Sequence, residues 1–358
     1  MTDELDFEGW TCPLPLRDTP NVVLGHGGGG QLSADLVANL FLPAYGQAGV
    51  GSADGADALP DSVVLPQVAG RLAFSTDSYV VKPMFFPGGC IGDLAVNGTV
   101  NDLAMSGARP LYLSTAFIVA EGTPMAELGL IAEAIGAAAV KAGVRLVTGD
   151  TKVVDHSAGD GVYITTAGIG VVPNGVDISP SKATPGDVVL INGDIGAHGM
   201  AVMSRREGLG FDAEISSDAA PLAGLVAALL EAGIDVHTLR DPTRGGVAAT
   251  TNEIAAAARV GIELAERDLP IPGIVRDACG LLGLDPLQVA NEGKLIAIVP
   301  ADQADAALEV MRAHEFGRDA RRIGHVTDEH PGVVVCRTGL GGTRVLGLPL
   351  GEQLPRIC

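Results

Sequence analysis

The sequence lacks the features that direct a chain into a membrane or toward nucleic acid. No run of about 18 apolar residues occurs, and the first twenty residues are acidic, polar and contain proline. Neither a membrane span nor a secretory signal peptide is therefore predicted. Positive charge is scarce, because 23 Lys and Arg stand against 43 Asp and Glu, a formal net charge of −20. A chain of this charge is repelled by nucleic acid and by anionic membranes, so we expect it to bind neither.

Paired cysteines are also absent. The five cysteines are scattered and form no Cys-x-x-Cys pair: Cys12, Cys90, Cys279, Cys336 and Cys358. This pattern predicts neither a disulfide framework nor a zinc site. Reduced thiols in a cytoplasmic protein fit it best.

Aromatic residues are few, at 4% of the chain, whereas 47% of the residues are hydrophobic and 49 are glycines. We therefore expect cores built from Ala, Val, Leu and Ile. At 358 residues, the chain exceeds the roughly 100 to 200 residues of one typical domain. Two folded domains are predicted.

Apolar patterns of strand and helix type alternate along most of the chain, which predicts an α/β fold with mixed α and β elements. Helices are predicted at Ile91–Met105, at Met125–Ala142 and at 33–42, where Ser33 is a plausible N-cap. Prolines and glycines cluster at 173–186, which indicates a domain boundary. The predicted organisation is an irregular leader (1–20), a first domain (21–175), a second domain (176–347) and a mobile tail (348–358).

Three aspartates, Asp77, Asp102 and Asp150, stand at or just after apolar segments. Mg²⁺ in proteins is usually held by one or two carboxylates together with water and substrate phosphates. Each aspartate alone is also compatible with a turn or a helix cap. Asp102 fits that interpretation least, because it lies in a mostly apolar helix, where an unpaired carboxylate on a buried face is costly. If the three converge, they predict a nucleotide and metal site.

Four glycines, Gly27, Gly28, Gly29 and Gly30, precede the first predicted helix. Backbone N–H groups without side chains can cradle phosphate. The run matches neither the P-loop nor the dinucleotide-binding fingerprint, and it is equally compatible with a flexible hinge.

The second half offers two further polar clusters. Asp241, Thr243, Arg244 and Gly245 stand before a predicted helix, and a glycine-rich helix start with an arginine favours an anion. Glu292 precedes an apolar strand and places a carboxylate at the mouth of that strand. Each cluster alone is weak evidence, because a solvated helix start or strand end has the same composition.

The last residue, Cys358, follows Pro355 and Arg356. A thiol on such an arm can act as a nucleophile or carrier; Arg356 favours its thiolate and the adjacent terminal carboxylate opposes it. Prenylation is excluded because it requires a cysteine four residues from the end.

Read together, these segments resemble one family, the HypE hydrogenase maturation proteins. The motifs that carry the resemblance occur in order from about residue 21 to the end: Gly-His-Gly-Gly-Gly-Gly (25–30), Ser-Thr-Asp-Ser-Tyr-Val-Val (75–81), Asn-Asp-Leu-Ala-Met-Ser-Gly-Ala (101–108), Thr-Gly-Asp-Thr-Lys (148–152), Asp-Pro-Thr-Arg-Gly-Gly (241–246), Asn-Glu-Gly-Lys (291–294) and Pro-Arg-Ile-Cys (355–358). The last is the most specific. Residues 1–20 lie outside the resemblance.

The resemblance implies a fold shared with aminoimidazole ribonucleotide synthetase, thiamine monophosphate kinase and selenophosphate synthetase. That fold has two α/β domains, an ATP cleft between them and a dimer formed through the first domain. The resemblance also implies that HypF carbamoylates Cys358, that ATP-dependent dehydration makes a protein thiocyanate, and that the cyano group passes to iron on a HypC–HypD complex.

The chemistry that the resemblance implies fits residues already singled out, and it predicts a role for each of them. Mg²⁺ would lie on Asp77, Asp102 and Asp150, with Lys152 near the transferred phosphoryl group and Glu292 as the base that takes the nitrogen proton. The implied ATP-binding residues are Gly27, Gly28, Gly29, Gly30, Asn101, Thr151, Lys152, Asp241, Thr243, Arg244 and Gly245.

Two other functions remain open at this point. One is a small-molecule kinase or ATP-dependent synthetase of the same superfamily, which would make no use of the tail. The other is a non-catalytic acidic protein that binds a metal. Cys90 stands where related sequences are expected to carry a polar residue, and it is interpreted as a small structural residue at a helix start.

Overall fold

Two large β-sheets divide the chain, one in each half, and a small third sheet pairs only two short strands, Phe85–Phe86 and Gly89–Cys90. The computed structural model describes residues 16–49, 62–209 and 215–348. The first sheet has four strands and the second has seven. The segment between the last strand of the first sheet and the first strand of the second, 173–187, contains the predicted Pro- and Gly-rich boundary.

The first half is built on a sheet with one covered and one open face. Its helices and strands are, in order, α1 (Gln31–Leu36), α2 (Leu42–Tyr45), β1 (Arg71–Tyr79), β2 (Phe85–Phe86), β3 (Gly89–Cys90), α3 (Ile91–Met105), β4 (Arg109–Ala120), α4 (Met125–Ala142), β5 (Arg145–Val154) and β6 (Val162–Val172). The sheet order is β1-β6-β4-β5. Only β4 and β5 are parallel, and α4 supplies the crossover that a parallel pair requires.

Helix α3 lies at the centre of the molecule. It packs on β1 and β6, on α4, and on a helix of the second half, and 13 of its 15 residues are buried. Gly98 allows one of these contacts, because a Cβ there would lie 2.2 Å from Tyr79 Oη. Cys90 caps the helix through a hydrogen bond from Gly92 N to its Sγ, 3.3 Å. Burial raises the pKa of this thiol well above its ordinary value, which suits a structural residue.

The second half is a seven-stranded sheet with helices on both faces. Its elements are β7 (Val188–Ile191), α5 (Ala197–Glu207), α6 (Ala223–Glu231), β8 (Thr238–Arg240), α7 (Gly246–Ala258), β9 (Gly261–Ala265), α8 (Gly273–Leu282), β10 (Ile296–Val299), α9 (Ala304–Ala313), β11 (Arg321–Thr327), β12 (Val334–Arg337) and β13 (Thr343–Val345). The strand order is β13-β12-β9-β11-β7-β10-β8. One core cluster includes residues of α7, and the other joins α6, α9 and the end of α3.

Several predicted elements have the observed bounds, namely α3, α4 and β6. The helix predicted at 33–42 begins earlier and is not α-helical throughout, and the prediction of Ser33 as its N-cap is wrong. Helix α1 begins at Gln31 after Gly30 and continues through a π-helical turn at Val37–Phe41. Ser33 Oγ instead accepts from Gly29 N and donates to the Gly25 carbonyl. Its hydroxyl fixes the glycine loop rather than the helix end.

Strand β1 extends further than the apolar pattern predicts, to Tyr79 rather than residue 75. Its polar continuation pairs residue by residue with β6, so that Asp77 lies opposite Thr166. Within the described ranges, no helix combines the length and the apolar character needed to cross a membrane.

Two helical glycines provide a test of the packing of α3. Gly98→Ala is expected to destabilise the protein by about 1–3 kcal/mol, because its Cβ would overlap Tyr79. Gly280, in α8, has open space around its Cβ position, so Gly280→Ala should stabilise by about 0.5–1 kcal/mol through helix propensity. Thermal melting of both variants measures these changes in stability. A Gly98→Ala protein that melts at or above the wild-type temperature would contradict the packing argument.

Candidate functional site

The acidic pocket is a cavity of about 230 Å³ between the two halves of the chain. It takes residues from β1 and α3 on one side and from the β8–α7 loop and Glu292 on the other. Its lining consists of Thr76, Asp77, Gly98, Asp102, Arg240, Asp241, Thr243, Arg244 and Glu292. Six of the predicted site residues therefore meet here, although the sequence separates them by more than 200 positions.

Secondary structure sets the direction of the carboxylates from the first half. Asp77 lies on β1 opposite buried Thr166, on the sheet face that α3 covers. Asp102 comes from α3 on the same side, and its Oδ2 accepts a hydrogen bond of 2.7 Å from Ser75 Oγ. Strand alternation places Ser75 and Asp77 on one face, so both point toward Asp102.

Like charges and burial together disfavour ionisation in this pocket. Burial, followed by the charge of Asp241, raises the pKa of Glu292 well above its ordinary value. Burial and the charge of Asp102 raise the pKa of Asp241 to about 7. Burial also raises the pKa of Asp102, although its hydrogen bond from Ser75 opposes this. The surrounding protein therefore supplies too little positive charge to keep these carboxylates ionised.

The two arginines compensate only in part. Arg240 Nη2 lies 2.6 Å from Glu253 Oε2, and Arg244 Nη2 lies 3.8 Å from Asp77 Oδ1. The excess of carboxylate oxygens suits a hard divalent cation. Among the described residues, no three His, Cys, Asp or Glu side chains are close enough to form a metal site unaided. A cation here would therefore take further oxygens from water or from a ligand.

A second cavity, the glycine-loop pocket, has a volume of about 270 Å³ and lies beside β5. Its walls are mostly apolar, and they include a smaller number of polar residues. The lining residues are His26, Gly27, Gly29, Ser33, Val37, Phe41, Leu42, Tyr45, Thr115, Phe117, Leu146, Val147, Thr148, Gly149, Asp150, Thr151 and Lys152. Gly27 is required by close approach, because a Cβ would lie 2.3 Å from Val153 N.

The third predicted metal ligand, Asp150, lies in this second pocket. Its Oδ1 is 2.8 Å from Lys152 Nζ, and the pair is largely exposed. The row of paired residues that begins at Asp77 crosses Thr166 and Thr115 and ends at Gly149. Three strand spacings of about 4.8 Å separate the two ends by roughly 14 Å. Asp150, one residue further along β5, points to the opposite face. Within one chain, Asp150 therefore does not join Asp77 and Asp102.

The remaining predicted residues have varied positions. Gly245 is the N-cap of α7 at φ +75°, next to Thr243 and Arg244. Asn101 is buried, and its Nδ2 donates to the carbonyls of Ala220 and Glu292, at 3.0 and 3.1 Å. Its amide thus joins the two halves of the protein. Gly28 and Gly30 are exposed in the loop before α1, and Cys358 lies outside the described residues.

Two charged residues next to Glu292 were missed in the sequence. Asp218 Oδ2 lies 3.1 Å from Lys294 Nζ in a largely buried ion pair, and Asp218 Oδ1 accepts from Glu292 N at 3.2 Å. Lys294 belongs to the Asn-Glu-Gly-Lys segment and could have been singled out. Asp218 follows two serines in a polar stretch and carries no pattern that marks it.

Known proteins match this chain over almost its whole length. Family models described as "AIR synthase related protein", N-terminal and C-terminal domains, match residues 60–172 and 184–337. Carbamoyl dehydratase HypE of Azotobacter vinelandii is 51% identical over 345 residues, 96% of this chain and 99% of its own length.

Two solved structures are similar as well. Hydrogenase maturation protein HypE in complex with ATP is 48% identical, with a TM-score of 0.88, and the match covers 94% of this chain and 99% of that one. The HypE–HypF complex contains a chain that is 50% identical, with a TM-score of 0.75, and the match covers 78% of this chain and 90% of that one.

The electrostatics of the acidic pocket predict how stability depends on pH. A carboxyl group whose pKa is raised on folding stabilises the fold at low pH, and that contribution is lost as the pH rises through its folded pKa. The pKa of Asp241 is raised from 3.8 to about 7. Without divalent cations, the melting temperature should therefore fall as the pH rises from 4 to above 7, and Asp241→Asn should flatten this fall.

The matched control is Asp277→Asn, an exposed aspartate on α8, which should leave the pH slope unchanged. Thermal melting across the pH range, with and without Mg²⁺, measures both variants. If Asp241→Asn keeps the wild-type slope, Asp241 does not carry the pH dependence.

Proposed function

The chain belongs to the HypE family of carbamoyl dehydratases, and we propose that it uses ATP to dehydrate a carbamoyl group carried on Cys358. The product is a protein thiocyanate that supplies the cyanide ligand of a hydrogenase iron. The family resemblance read from the motifs is confirmed by a relative that is 51% identical over 96% of the chain. The observation that best supports the site is the acidic pocket, where carboxylates of both halves meet.

The reaction requires an activated oxygen and a base. In the thiocarboxamide S–C(=O)–NH₂, the amide oxygen is a poor leaving group, and transfer of the γ-phosphoryl group of ATP onto it makes it leave as phosphate. Loss of both nitrogen protons gives S–C≡N, with ADP and phosphate as the other products. Positioning and charge stabilisation are the main tasks of the protein in phosphoryl transfer.

Mg²⁺ fits the donor set of the acidic pocket. Asp77 and Asp102 offer carboxylate oxygens from one side and Asp241 from the other. Burial raises the pKa of Asp102 and of Asp241, which supports the binding of a cation that would favour their ionised forms. When bound, Mg²⁺ would offset the charge of the triphosphate. Arg244, Thr243 and the first N–H groups of α7 would bind phosphate oxygens at the rim of the pocket.

Glu292 is proposed to take a proton from the amide nitrogen. It lines the pocket, and its raised pKa makes it a stronger base than an exposed glutamate. Lys152 is proposed to bind the phosphoryl group that is transferred, and Asp150 to complete the ligands of Mg²⁺. Both residues line the glycine-loop pocket rather than the acidic pocket, so a single chain does not assemble this set.

A homodimer would bring the two pockets together. The uncovered face of the first sheet exposes three large apolar side chains, with Leu72 66%, Phe74 69% and Ile118 45% exposed. Exposed apolar patches mark interaction sites, and a two-fold interface pairs a surface with itself. If the axis runs parallel to the strands, β1 of one chain lies over β5 of the other. Asp150 and Lys152 of one chain would then lie near β1 of its partner, the edge strand that carries Asp77 at the acidic pocket.

The end of the described chain leaves the second domain near the acidic pocket. Leu346 is fixed by Asn252 of α7, whose Nδ2 donates to the Leu346 carbonyl at 2.7 Å. Asn252 lies six residues after Gly246, or roughly 9 Å along the helix from the pocket rim. The ten residues that follow Leu348 and end at Cys358 can span at most about 33–36 Å. Cys358 is therefore within reach of the site.

The partners follow from the same family. HypF is proposed to place the carbamoyl group on Cys358, since a HypE of known structure forms a complex with HypF. A HypC–HypD complex is proposed to accept the cyano group, with all steps in the cytoplasm.

A complementation experiment tests the shared site. Asp77→Asn and Asp150→Asn should each abolish most ATP-dependent dehydration as homodimers. A purified heterodimer of the two chains should recover about half of the wild-type activity, because one of its two sites contains both native aspartates. The matched control combines Asp77→Asn with Asp102→Asn, which lie in the same pocket and should not complement. A heterodimer as inactive as its parents would place the whole site within one chain.

Intact mass measurement tests the carrier thiol. Cys358→Ala should form no carbamoyl adduct with HypF and carbamoyl phosphate, yet bind ATP with unchanged affinity, because it removes only the nucleophile. Cys279→Ala, at a buried thiol of the second half, is the control and should be carbamoylated and dehydrated normally. Thiocyanate formation in Cys358→Ala would rule out this carrier.

A further inference from the structure

The ion pair between Asp218 and Lys294 has no role in the reaction described above. It is largely buried, with 8% of the Asp218 side chain and 13% of the Lys294 side chain exposed. A buried ion pair rarely stabilises a protein more than apolar residues of the same size. Burial opposes ionisation of Asp218, but Lys294 and His198 outweigh it and hold its pKa below the ordinary value. Asp218 is therefore a charged group in a place where charge is costly.

The carboxylate of Asp218 holds the backbone of Glu292. Its Oδ1 accepts from Glu292 N at 3.2 Å, while Oδ2 faces the Lys294 ammonium at 3.1 Å. On the other side of the same residue, Asn101 Nδ2 donates to the Glu292 carbonyl at 3.1 Å. Both backbone polar groups of Glu292 are thus bound by buried side chains from other segments. This arrangement leaves the Glu292 backbone little freedom to shift.

The residues after Glu292 are held just as closely. A Cβ at Gly293 would lie 1.7 Å from the Asp218 carbonyl oxygen, so only glycine allows the two segments to touch. Asn192 Nδ2 donates to the Gly293 carbonyl at 3.1 Å, and Asn192 Oδ1 accepts from Leu295 N at 2.8 Å.

The segment that carries Asp218 is itself fixed to the first half. Ser217 N donates to the Pro87 carbonyl at 2.8 Å, and His198 Nδ1 lies 2.9 Å from Ser217 Oγ. The His198 ring meets Phe86 edge-on, with centroids 5.4 Å apart. The segment that carries Asp218 therefore contacts both domains, in addition to the contact of Asp218 with Glu292.

We propose that Asp218 is a positioning residue, whose carboxylate, oriented by Lys294, fixes the backbone of Glu292 so that the Glu292 side chain faces the acidic pocket. This inference rests on the proposed function, in which Glu292 is the base. When hydrogen bonds that hold a catalytic group in place are removed, the reaction slows even if the chemistry of that group is unchanged. The effect falls on the dehydration step and not on ATP binding, because Asp218 lies outside the pocket lining.

Two double variants isolate the hydrogen bond from the charge. In both, Lys294→Met removes the ammonium, so that no buried cation is left unpaired. Asp218→Asn then keeps an oxygen that can accept from Glu292 N, whereas the leucine of Asp218→Leu has the same branching at Cγ and no acceptor. The assay is single-turnover thiocyanate formation on protein already carbamoylated at Cys358, with ATP affinity measured in parallel.

The Asn variant should dehydrate within about threefold of the wild type, and the Leu variant on the order of tenfold to a hundredfold more slowly, as a small misplacement of a catalytic group costs. ATP affinity should agree within about twofold in all of them, so the loss appears in the single-turnover rate constant and not in the affinity for ATP. Equal rates for the Asn and Leu variants would overturn the inference.

Asp187 provides the matched control. It is a buried aspartate whose Oδ2 accepts from Thr184 N at 2.8 Å, and no described contact joins it to Glu292. Asp187→Asn and Asp187→Leu should lower the melting temperature and leave the rate per folded molecule unchanged. If they slow dehydration as much as Asp218→Leu does, loss of stability explains the effect and the positioning role is refuted.

Glu292→Gln in the same assay separates this inference from the proposed function. Slow dehydration by Glu292→Gln together with normal dehydration by the Asp218→Leu double variant refutes the positioning role alone. Normal dehydration by Glu292→Gln removes the base assignment and the positioning role with it. Slow dehydration in both, with ATP affinity retained, is the expected result.

Discussion

A buried side-chain amide, that of Asn101, joins the two domains beside the acidic pocket. Asn101 reaches from α3 to two carbonyls of the second half and accepts a hydrogen bond from Leu222 N at 2.8 Å. An amide with all its partners stabilises such a junction, whereas a buried polar group left unpaired costs about 1–3 kcal/mol. Any displacement of the second domain against α3 would break these bonds together. The hydrogen bonds of Asn101 therefore help to fix the distance between the two sides of the acidic pocket.

The same junction gathers groups that repel one another. Asp77, Asp102, Asp241 and Glu292 share one cavity of about 230 Å³, and burial raises the pKa of three of them. Such an arrangement lowers stability unless a ligand compensates for it, which is typical of functional sites. Hydrogen bonds from buried side chains hold the backbone in this arrangement against the repulsion. Asn101 and Asp218 hold the Glu292 backbone in place although its side chain is repelled by its neighbours.

Local patterns predicted a large part of the fold. The bounds of α3, α4 and β6 agree with the prediction because each segment carries a long and mostly apolar pattern. Strand β1 was predicted too short, since residues 75–78 are polar and their pairing with β6 is a property of the sheet. The meeting of Asp77 and Asp102 could be anticipated from adjacent apolar elements. The position of Asp150 three strands away could not, because it depends on strand order.

The contacts around Glu292 were still less accessible to sequence reasoning. Asp218 and Glu292 are 74 positions apart, and no periodicity or motif links them. Their contact exists because Gly293 lets two backbone segments touch. Close approach of this kind is decided by packing in three dimensions, where one missing side chain brings distant parts of the chain together.

The raised pKa of Asp241, about 7, has a consequence for the thermodynamics of ligand binding. Near neutral pH, a substantial fraction of the Asp241 side chains carries a proton, and a cation can bind the group only after that proton has left. Loading of the pocket with a metal-nucleotide complex would therefore release protons to the solvent. The apparent affinity would rise with pH, and the measured heat of binding would change with the ionisation enthalpy of the buffer that takes up those protons.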